Sequence, residues 1–355
     1  MKKIFLISFF LIFNLFWTIN CQAEENNNQN QEIKKINATV IFVGENSVRI
    51  KDNQGNHYEV DQSFETGSSE KVEKGMNVKA ELITMQDGSI RCVISDINRL
   101  EKIWIFIIIF VFSVFCFLRK QGLIALLNLA ITFLFVIFFI IPLVIKGYNP
   151  LISTIIGTSL AMTVMFFTLY GKTKKTLAIS FSALISLIIS TIFSWLFIKF
   201  TYLTGFASDE ATYLVTAGYG HIDMKGLLLA AFLIGIMGTL DDIIINQVSI
   251  IESLKKINPK MKSWEAYREA MKIGRDHMSS MINTLIFAYA GAAFPLLILF
   301  YLKNPPFDSV NSILNNEIVA TEIVRMIVGS MSLLFATPIS SYLAVKFFLT
   351  KNKQR

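Results

Sequence analysis

Hydrophobic positions follow two different rules along this chain. Between Ile36 and Arg99 they alternate with polar ones in "ATVIFVGENSVRIKD", "HYEVD", "GMNVKAELI" and "SIRCVISDI", separated by turns such as Asn53-Gln54-Gly55-Asn56. A period of two sends successive side chains to opposite faces of a sheet, so these stretches predict short strands. Four or five strands in so short a segment predict a small closed β-barrel of OB type.

From Ile103 onward the polar positions vanish over long runs. A hydrocarbon core of about 30 Å takes about 20 helical residues per crossing. On that measure, spans are predicted near Ile103–Leu118, Leu123–Ile145, Leu151–Tyr170, Leu177–Ile198, Gly226 to about Ile245, Met281–Leu302 and Ile327–Leu349. The expected fold class is a polytopic α-helical membrane protein of about seven transmembrane helices, carrying a small N-terminal extracytoplasmic β-barrel-like domain. The 53% of apolar residues against 17% charged agrees with that class.

The net charge of +7 would suit nucleic acid if it were spread over one surface. Instead the basic residues sit in short loops between apolar runs, which points to a lipid bilayer and not to nucleic acid. Arg119 and Lys120, then Lys172, Lys174 and Lys175, then the run from Lys255 to Arg275, then Lys351, Lys353 and Arg355 all fall on one side of the predicted spans. That side is expected to be the cytoplasm of a bacterial cell, with the C-terminus inside and the β domain outside.

The opening "MKKIFLISFFLIFNLFWTINCQAEE" predicts a signal peptide over 1–23, cleaved after Ala23. An uncleaved anchor and a lipid on Cys21 are the alternatives; Thr18-Ile19-Asn20 lacks the small residues that lipidation favours. A polar stretch over 24–35 predicts a flexible lead-in, followed by the β domain at 36–100 and the membrane domain at 101–355. With Cys21 in the signal, Cys92 and Cys116 form no disulfide framework, and Cys92 is expected inside a strand.

One apolar run is interrupted. In "LLLAAFLIGIMGTLDDIIINQVSII", Asp241 and Asp242 stand where a span should continue. From Gly226 to Leu240 the helix covers roughly 22 Å, so it has to run on past the aspartates to cross the core. An ionised carboxylate there costs at least a few kcal/mol unless it faces protein or a water-filled cavity. Helical spacing puts Asp242 on a stripe with Gly235, Thr239, Asn246 and Ser249, and Asp241 with Ile234, Ile245 and Val248. Asp242 is therefore the expected protein-facing group, Asp241 is expected to reach toward the interface, and Gln247 falls on neither face. The returning segment "GRDHMSSMINTLIFAYAGAAFP" brings Arg275 as the expected counter-ion, Asn283 as an amide partner, and Asp276 and Thr284 beside them. Two readings stay open: a cap at the water interface, or an intramembrane polar site able to handle protons. Gly235, Gly238 and the run Ala288, Ala290, Gly291, Ala292, Ala293 favour close packing, and Pro295 predicts a kink.

Between these helices, "NPKMKSWEAYREAMKIGRD" offers Ser263 as a cap, Glu265 in the first turn, and Trp264, Tyr267, Met271 and Met278 at near-helical spacing. With Lys and Arg opposite, it predicts an amphipathic helix on the inner leaflet, or a docking site for a soluble partner.

No enzyme signature accompanies these features. The chain has only His57, His221 and His277, with no HExxH, no GxGD at the aspartates, no nucleophile elbow and no P-loop. No cofactor, metal site or catalytic residue is expected.

The stretch "MGTLDDIIINQVSIIESLKKINPKMKSWEAYREAMKIGRDHMSSMINTLIFAYAGAAFPLLIL" resembles the YibE/F-like family of bacterial integral membrane proteins, above all in "GRDHMSSMINTLIFAYAG". "RKQGLIALLNL", "IPLVIKGYNP" and "LYGKTKKTLA" extend the resemblance over nearly the whole chain after the signal. The resemblance implies a membrane protein described as a permease or transport-associated component, without a settled activity. The hairpin is also similar to that of SecD and SecF exporters, whose intramembrane aspartates couple protons, a role that would fall here on Asp241 or Asp242. Two functions are thus expected: an export-assisting transporter coupled to protons, or a membrane scaffold or sensor whose β domain binds a partner. The substrate or partner protein is not specified by the sequence.

Overall fold

The computed structural model describes residues 33–44, 47–61, 72–85, 90–303 and 308–349. The expected signal peptide, most of the lead-in, and Lys351, Lys353 and Arg355 lie outside them. The described residues fall into two compact units, one ending at Leu123 and the other beginning at Ile124.

The first unit opens with five strands: β1 (Ile33–Val43), β2 (Ser47–Asp52), β3 (His57–Asp61), β4 (Asn77–Thr84) and β5 (Ile90–Ile97). They close into a barrel in the order β1-β2-β3-β5-β4. All pairs are antiparallel except β3 with β5, which run parallel at Val60 and Cys92. The alternation read from the sequence is the inward set: Ala38, Val40, Val48, Ile50, Val60, Val78, Ala80, Leu82, Cys92 and Ile94 are all buried. Register shifts that leave Ile41 of β1 and Ser95 of β5 as extra residues let those two strands bend enough to close so small a barrel. β1 begins at Ile33, so part of the expected lead-in belongs to the sheet. Burial pushes the Cys92 thiol up to about 11, as suits an inert core residue.

The β2–β3 turn is organised by Asp52. Its Oδ1 accepts from the backbone N–H of Gln54 and of Asn56, each at 2.8 Å, and Oδ2 accepts from the Asn56 side chain at 3.0 Å. An Asp at this place mimics a turn of backbone, which is why Asn-Gln-Gly-Asn can follow it.

The rest of the chain is helical. α1 (Leu100–Phe135) is broken at Arg119, whose φ of 50° and ψ of −129° are not helical. After a wide turn at Val136–Ile140 comes α2 (Ile141–Ile145). α3 (Pro150–Tyr170) starts where Asn149 caps Ile152 and Pro150 fixes the first turn; α4 (Lys174–Phe200) starts at a Thr173 cap. The short α5 (Asp209–Leu214) precedes α6 (Met224–Ile257), capped by Asp223. α7 (Ser263–Ala292) and α8 (Phe294–Leu302) meet at 69°, with Pro295 in the first turn of α8, so the kink expected at that proline is present. The short α9 (Val310–Asn315) leads into α10 (Glu317–Phe348).

Where seven separate spans are expected, the described residues hold five helices long and apolar enough to cross a membrane, or six if α7 and α8 count together. The difference arises at the start, where the first two expected spans run together over Leu100–Ile145. The expected amphipathic helix does not end before the next expected span. Ser263 onward is continuous with the next expected span in α7, and its buried stripe is Ala266, Ala270, Gly274 and Met278. Trp264 stays exposed, stacked on Tyr267 at 5.5 Å. Small side chains let α7 lie close against α6 and α10, a gain the aromatic face cannot offer.

The second unit is held by α4, α6 and α10, which pack on one another most extensively. α4 buries Ser182, Ser186, Ser190 and Ser194 at every fourth position; α10 buries Gly329, Ser332, Ala336, Thr337, Ser340 and Ser341. Most of these hydroxyls bond the carbonyl four residues back, as Ser190 does to Ser186 at 2.8 Å and Ser332 to Val328 at 2.7 Å. The helices thus approach closely without leaving those hydroxyls orphaned. The two ends of the bundle are pinned by carboxylates: Glu252 of α6 pairs with Lys175 of α4 at 3.1 Å, and Glu317 of α10 accepts from Thr204 N–H at 2.6 Å.

Asp52 yields the first prediction. Burial works against its charge, but the side-chain and backbone donors of Asn56, with those of Gln54 and Gly55, outweigh it and hold the carboxyl below its usual range. A depressed folded-state value means its stabilisation is complete above the ordinary aspartate range and is lost as pH falls through the lowered value. Asp52→Ala should raise amide hydrogen exchange in residues 54–57 by roughly tenfold at neutral pH, the scale of one lost charge-assisted bond. The difference from the parent should shrink on acidification.

Candidate functional site

α6 presents two unlike faces. The buried one carries Phe232, Leu233, Ile236, Leu240, Ile243, Ile244, Val248 and Ile251, packed toward α3, α4 and α10. The exposed one carries Ala231, Gly235, Gly238, Asp242, Asn246 and Ser253, all small or polar. This reverses the expected placing of the aspartates. Asp241 is buried, only 9% exposed, and Asp242 is exposed. The stripe argument chose the polar face as the inward one, but the bundle is filled by volume, and Asp241 goes in with its apolar neighbours Ile244 and Val248.

Asp241 Oδ1 has no hydrogen-bond partner among the described residues. Arg275, the expected counter-ion, is exposed and forms no ion pair with either aspartate. Asp276, Asn283 and Thr284 are exposed as well, and Thr284 spends its hydroxyl on Ser280 O at 3.0 Å. The hairpin contact comes from a residue the sequence reading set aside. His277 Nε2 lies 3.1 Å from Asn246 Nδ2, and its ring is within electrostatic reach of Asp242. Of the seven expected site residues, the structure gathers Asp241, Asp242 and Asn246 into one cluster and adds His277.

A second knot lies one turn further along α6. Gln247, assigned to neither face, is fully buried; its Oε1 accepts from Ser341 of α10 at 2.9 Å, while its Nε2 has no partner among the described residues. Gly274 of α7 sits against it so closely that a Cβ there would collide with the Gln247 amide and lie 2.9 Å from Thr337 Cγ2. Gln247, Gly274, Thr337 and Ser341 therefore tie three helices at one point. Only Gly274 had a visible signal, as the glycine of "GRD".

Near the opposite end of α10, Arg325 pairs with Glu322 at 3.2 Å and stacks over Phe232 and Tyr289 at 5.3 and 6.0 Å. The expected span begins only at Ile327, so this pair escaped notice as part of a loop; the helix in fact begins at Glu317.

The family model of YibE/F-like proteins matches residues 106–350, more than two thirds of the chain, and contains every residue of both polar clusters. The chain belongs to the YibE/F-like family. No curated protein and no solved structure matches it. Within this YibE/F-like protein, the segment that carries the resemblance is also the one that builds the contact between α6 and α7.

Gly274→Ala should therefore be costly out of proportion to one methyl group. Overpacking on this scale typically costs about 1–3 kcal/mol, and the thermal unfolding midpoint of the purified protein in detergent should fall accordingly. Shortening the obstacle with Gln247→Ser in the same chain should recover part of the loss, because the two positions share one contact.

Proposed function

We propose that this YibE/F-like protein is a permease or export-assisting component of the bacterial cytoplasmic membrane, coupled to protons at Asp241 and Asp242. The observation that carries the reading is Asp241: a carboxyl group buried in a helix long and apolar enough to cross a membrane, with one oxygen that has no hydrogen-bond partner among the described residues. An intramembrane carboxylate is retained against a cost of several kcal/mol only where it does something, and a proton is the simplest thing it can bind. Asp242, adjacent and exposed, gives that proton a second acceptor. The resemblance of the hairpin to SecD and SecF points to the same class.

The break at Arg119 supports counting Leu100–Ile145 as two crossings, since its 46 residues contain about 69 Å of helix in all, more than twice the hydrocarbon thickness. With that count there would be seven spans, and the basic loops would lie on the cytoplasmic side with the barrel outside. The strand order supports the OB-type reading of the barrel, whose role would be to engage cargo or a partner there. No catalytic step belongs to this function.

Infrared difference spectroscopy on the full-length protein in bilayers tests it. A carboxyl band should appear and disappear between alkaline and acid buffer under conditions where ordinary surface carboxylates stay ionised. Asp241→Asn should abolish it and Asp242→Asn should shift it, with folding intact. A pair that stays ionised down to ordinary carboxylate conditions would sink the proton-coupled reading and leave the scaffold or sensor, in which replacing both aspartates by asparagine leaves function unchanged.

A further inference from the structure

We propose that the groove between α3 and α4 binds one anionic phospholipid, with its phosphate at Lys172 and Lys174 and its ester carbonyls accepting from Ser159 and Ser180. The inference goes beyond the proton-coupled reading and does not depend on it; it requires only that α3 and α4 cross the bilayer.

The groove has a volume of about 220 Å³. Its rim is Leu160 of α3 with Phe181 and Leu184 of α4, all exposed, and its floor is Met162 and Ala183, both buried. Walls of that kind accept hydrocarbon. Three hydroxyls interrupt them: Ser159 and Thr163 on one wall and Ser180 on the other. Thr163 donates to Ser159 O at 2.7 Å and is spent. Ser159 Oγ and Ser180 Oγ are buried and have no hydrogen-bond partner among the described residues. The carbonyl one turn back that Ser159 would take, Ile155 O, already receives Thr158 at 3.3 Å. Other hydroxyls of these helices do bond within the helix, as Thr168 does to Val164 O and Ser182 to Ala178 O. Thr154 and Ser186 are unpartnered too, but they do not line the groove. One unanswered donor on each wall of an apolar groove calls for acceptors carried by an apolar ligand. The paired ester carbonyls of a diacyl lipid are such acceptors.

The turn that joins the two helices supplies the charge. Lys172, Lys174 and Lys175 follow the end of α3 at Tyr170. Lys175 is committed, paired with Glu252 at 3.1 Å and lying over the Tyr170 ring at 4.6 Å. Lys172 and Lys174 are exposed and have no partner among the described residues. From Lys174 to Ser180 α4 advances about 9 Å. The polar layer between hydrocarbon and bulk water is about 5–8 Å thick on each side of a bilayer. A phosphate held at the two lysines therefore leaves its esters near the level of the two serines, with the chains running along Leu160, Phe181 and Leu184. The acyl chains and esters alone would suit any phospholipid. Two unpaired lysines select the anionic ones, because a zwitterionic headgroup brings a cation of its own to the same place.

Native mass spectrometry of the full-length protein, titrated in detergent with phosphatidylglycerol or with phosphatidylcholine of the same chains, tests the site. The first phosphatidylglycerol should bind roughly tenfold or more tightly than the first phosphatidylcholine, the scale of two lysines at a membrane surface. Equal affinity of the parent for the two lipids would overturn the anionic assignment without any variant. Lys172→Gln with Lys174→Gln should abolish the preference. Lys262→Gln with Lys272→Gln, at two exposed lysines elsewhere in the chain, should leave it intact. An equal loss from the second pair would mean a diffuse surface attraction and overturn the site. Ser159→Ala with Ser180→Ala should weaken both lipids alike, by about fivefold or more, the scale of two hydrogen bonds. Unchanged affinity in that variant would overturn the groove as the seat of the esters. All of these readouts stand apart from whether Asp241 titrates, so failure here and failure of the proton-coupled reading are distinct results.

Discussion

A polar atom inside a membrane-crossing helix has no water to turn to, and the arrangement of this bundle follows from how each such atom is answered. An unanswered one costs several kcal/mol. α4 and α10 carry buried hydroxyls along their whole contact, yet most of them bond a carbonyl of their own helix, so the serine stripes demand nothing from the partner helix except proximity. This self-sufficiency permits small residues to line the tightest interface. It also separates the structural polar groups from the others: Asp241 Oδ1 and Gln247 Nε2 are buried on α6 and left unanswered by the described residues.

The same packing decides which way α6 faces. Its large apolar side chains are needed to fill the space between α3, α4 and α10, and once they turn inward the stripe of Gly235, Gly238, Asp242 and Asn246 has to turn outward. α7 can then approach that part of α6 because its own contact stripe is Ala266, Ala270 and Gly274, with no bulk to hold it off. The His277–Asn246 contact is a consequence of this closeness.

How much of this can be read from residues alone depends on the range of the physics involved. The barrel strands and the turn at Asp52 are local, and their alternation and turn residues declare them. The long helices declare themselves by hydropathy, and the kink by Pro295. The orientation of α6 is not local. Periodicity divides it into a polar and an apolar stripe, but which stripe is buried depends on the volumes offered by serines on α4 and α10, as far off as Ser341. Gln247 illustrates the failure: it lies one turn from Ile243, Ile244 and Ile251 on the apolar stripe, and what makes room for an amide there is Gly274 and Ser341 on two other helices. Glu322 and Arg325 were hidden differently. Two charges lower the hydropathy of a window below what a span requires, although side by side they partly neutralise each other and the guanidinium lies over two rings.

The two orphaned groups on α6 differ in what can be done about them. Gln247 is half-answered through Ser341, and its remaining N–H is confined by Gly274 and Thr337, so nothing that the helices can do short of separating would satisfy it. An amide has no other chemical state to adopt, and its cost is fixed into the fold, where it specifies how three helices register. A carboxyl group has a second state. Gaining a proton removes the charge and supplies a donor, so the cost at Asp241 is large in one state and small in the other. A group whose environment prefers one protonation state by a wide margin can bias the packing around it each time the proton comes or goes. Of these two groups on α6, Asp241 is the one whose chemical state can change.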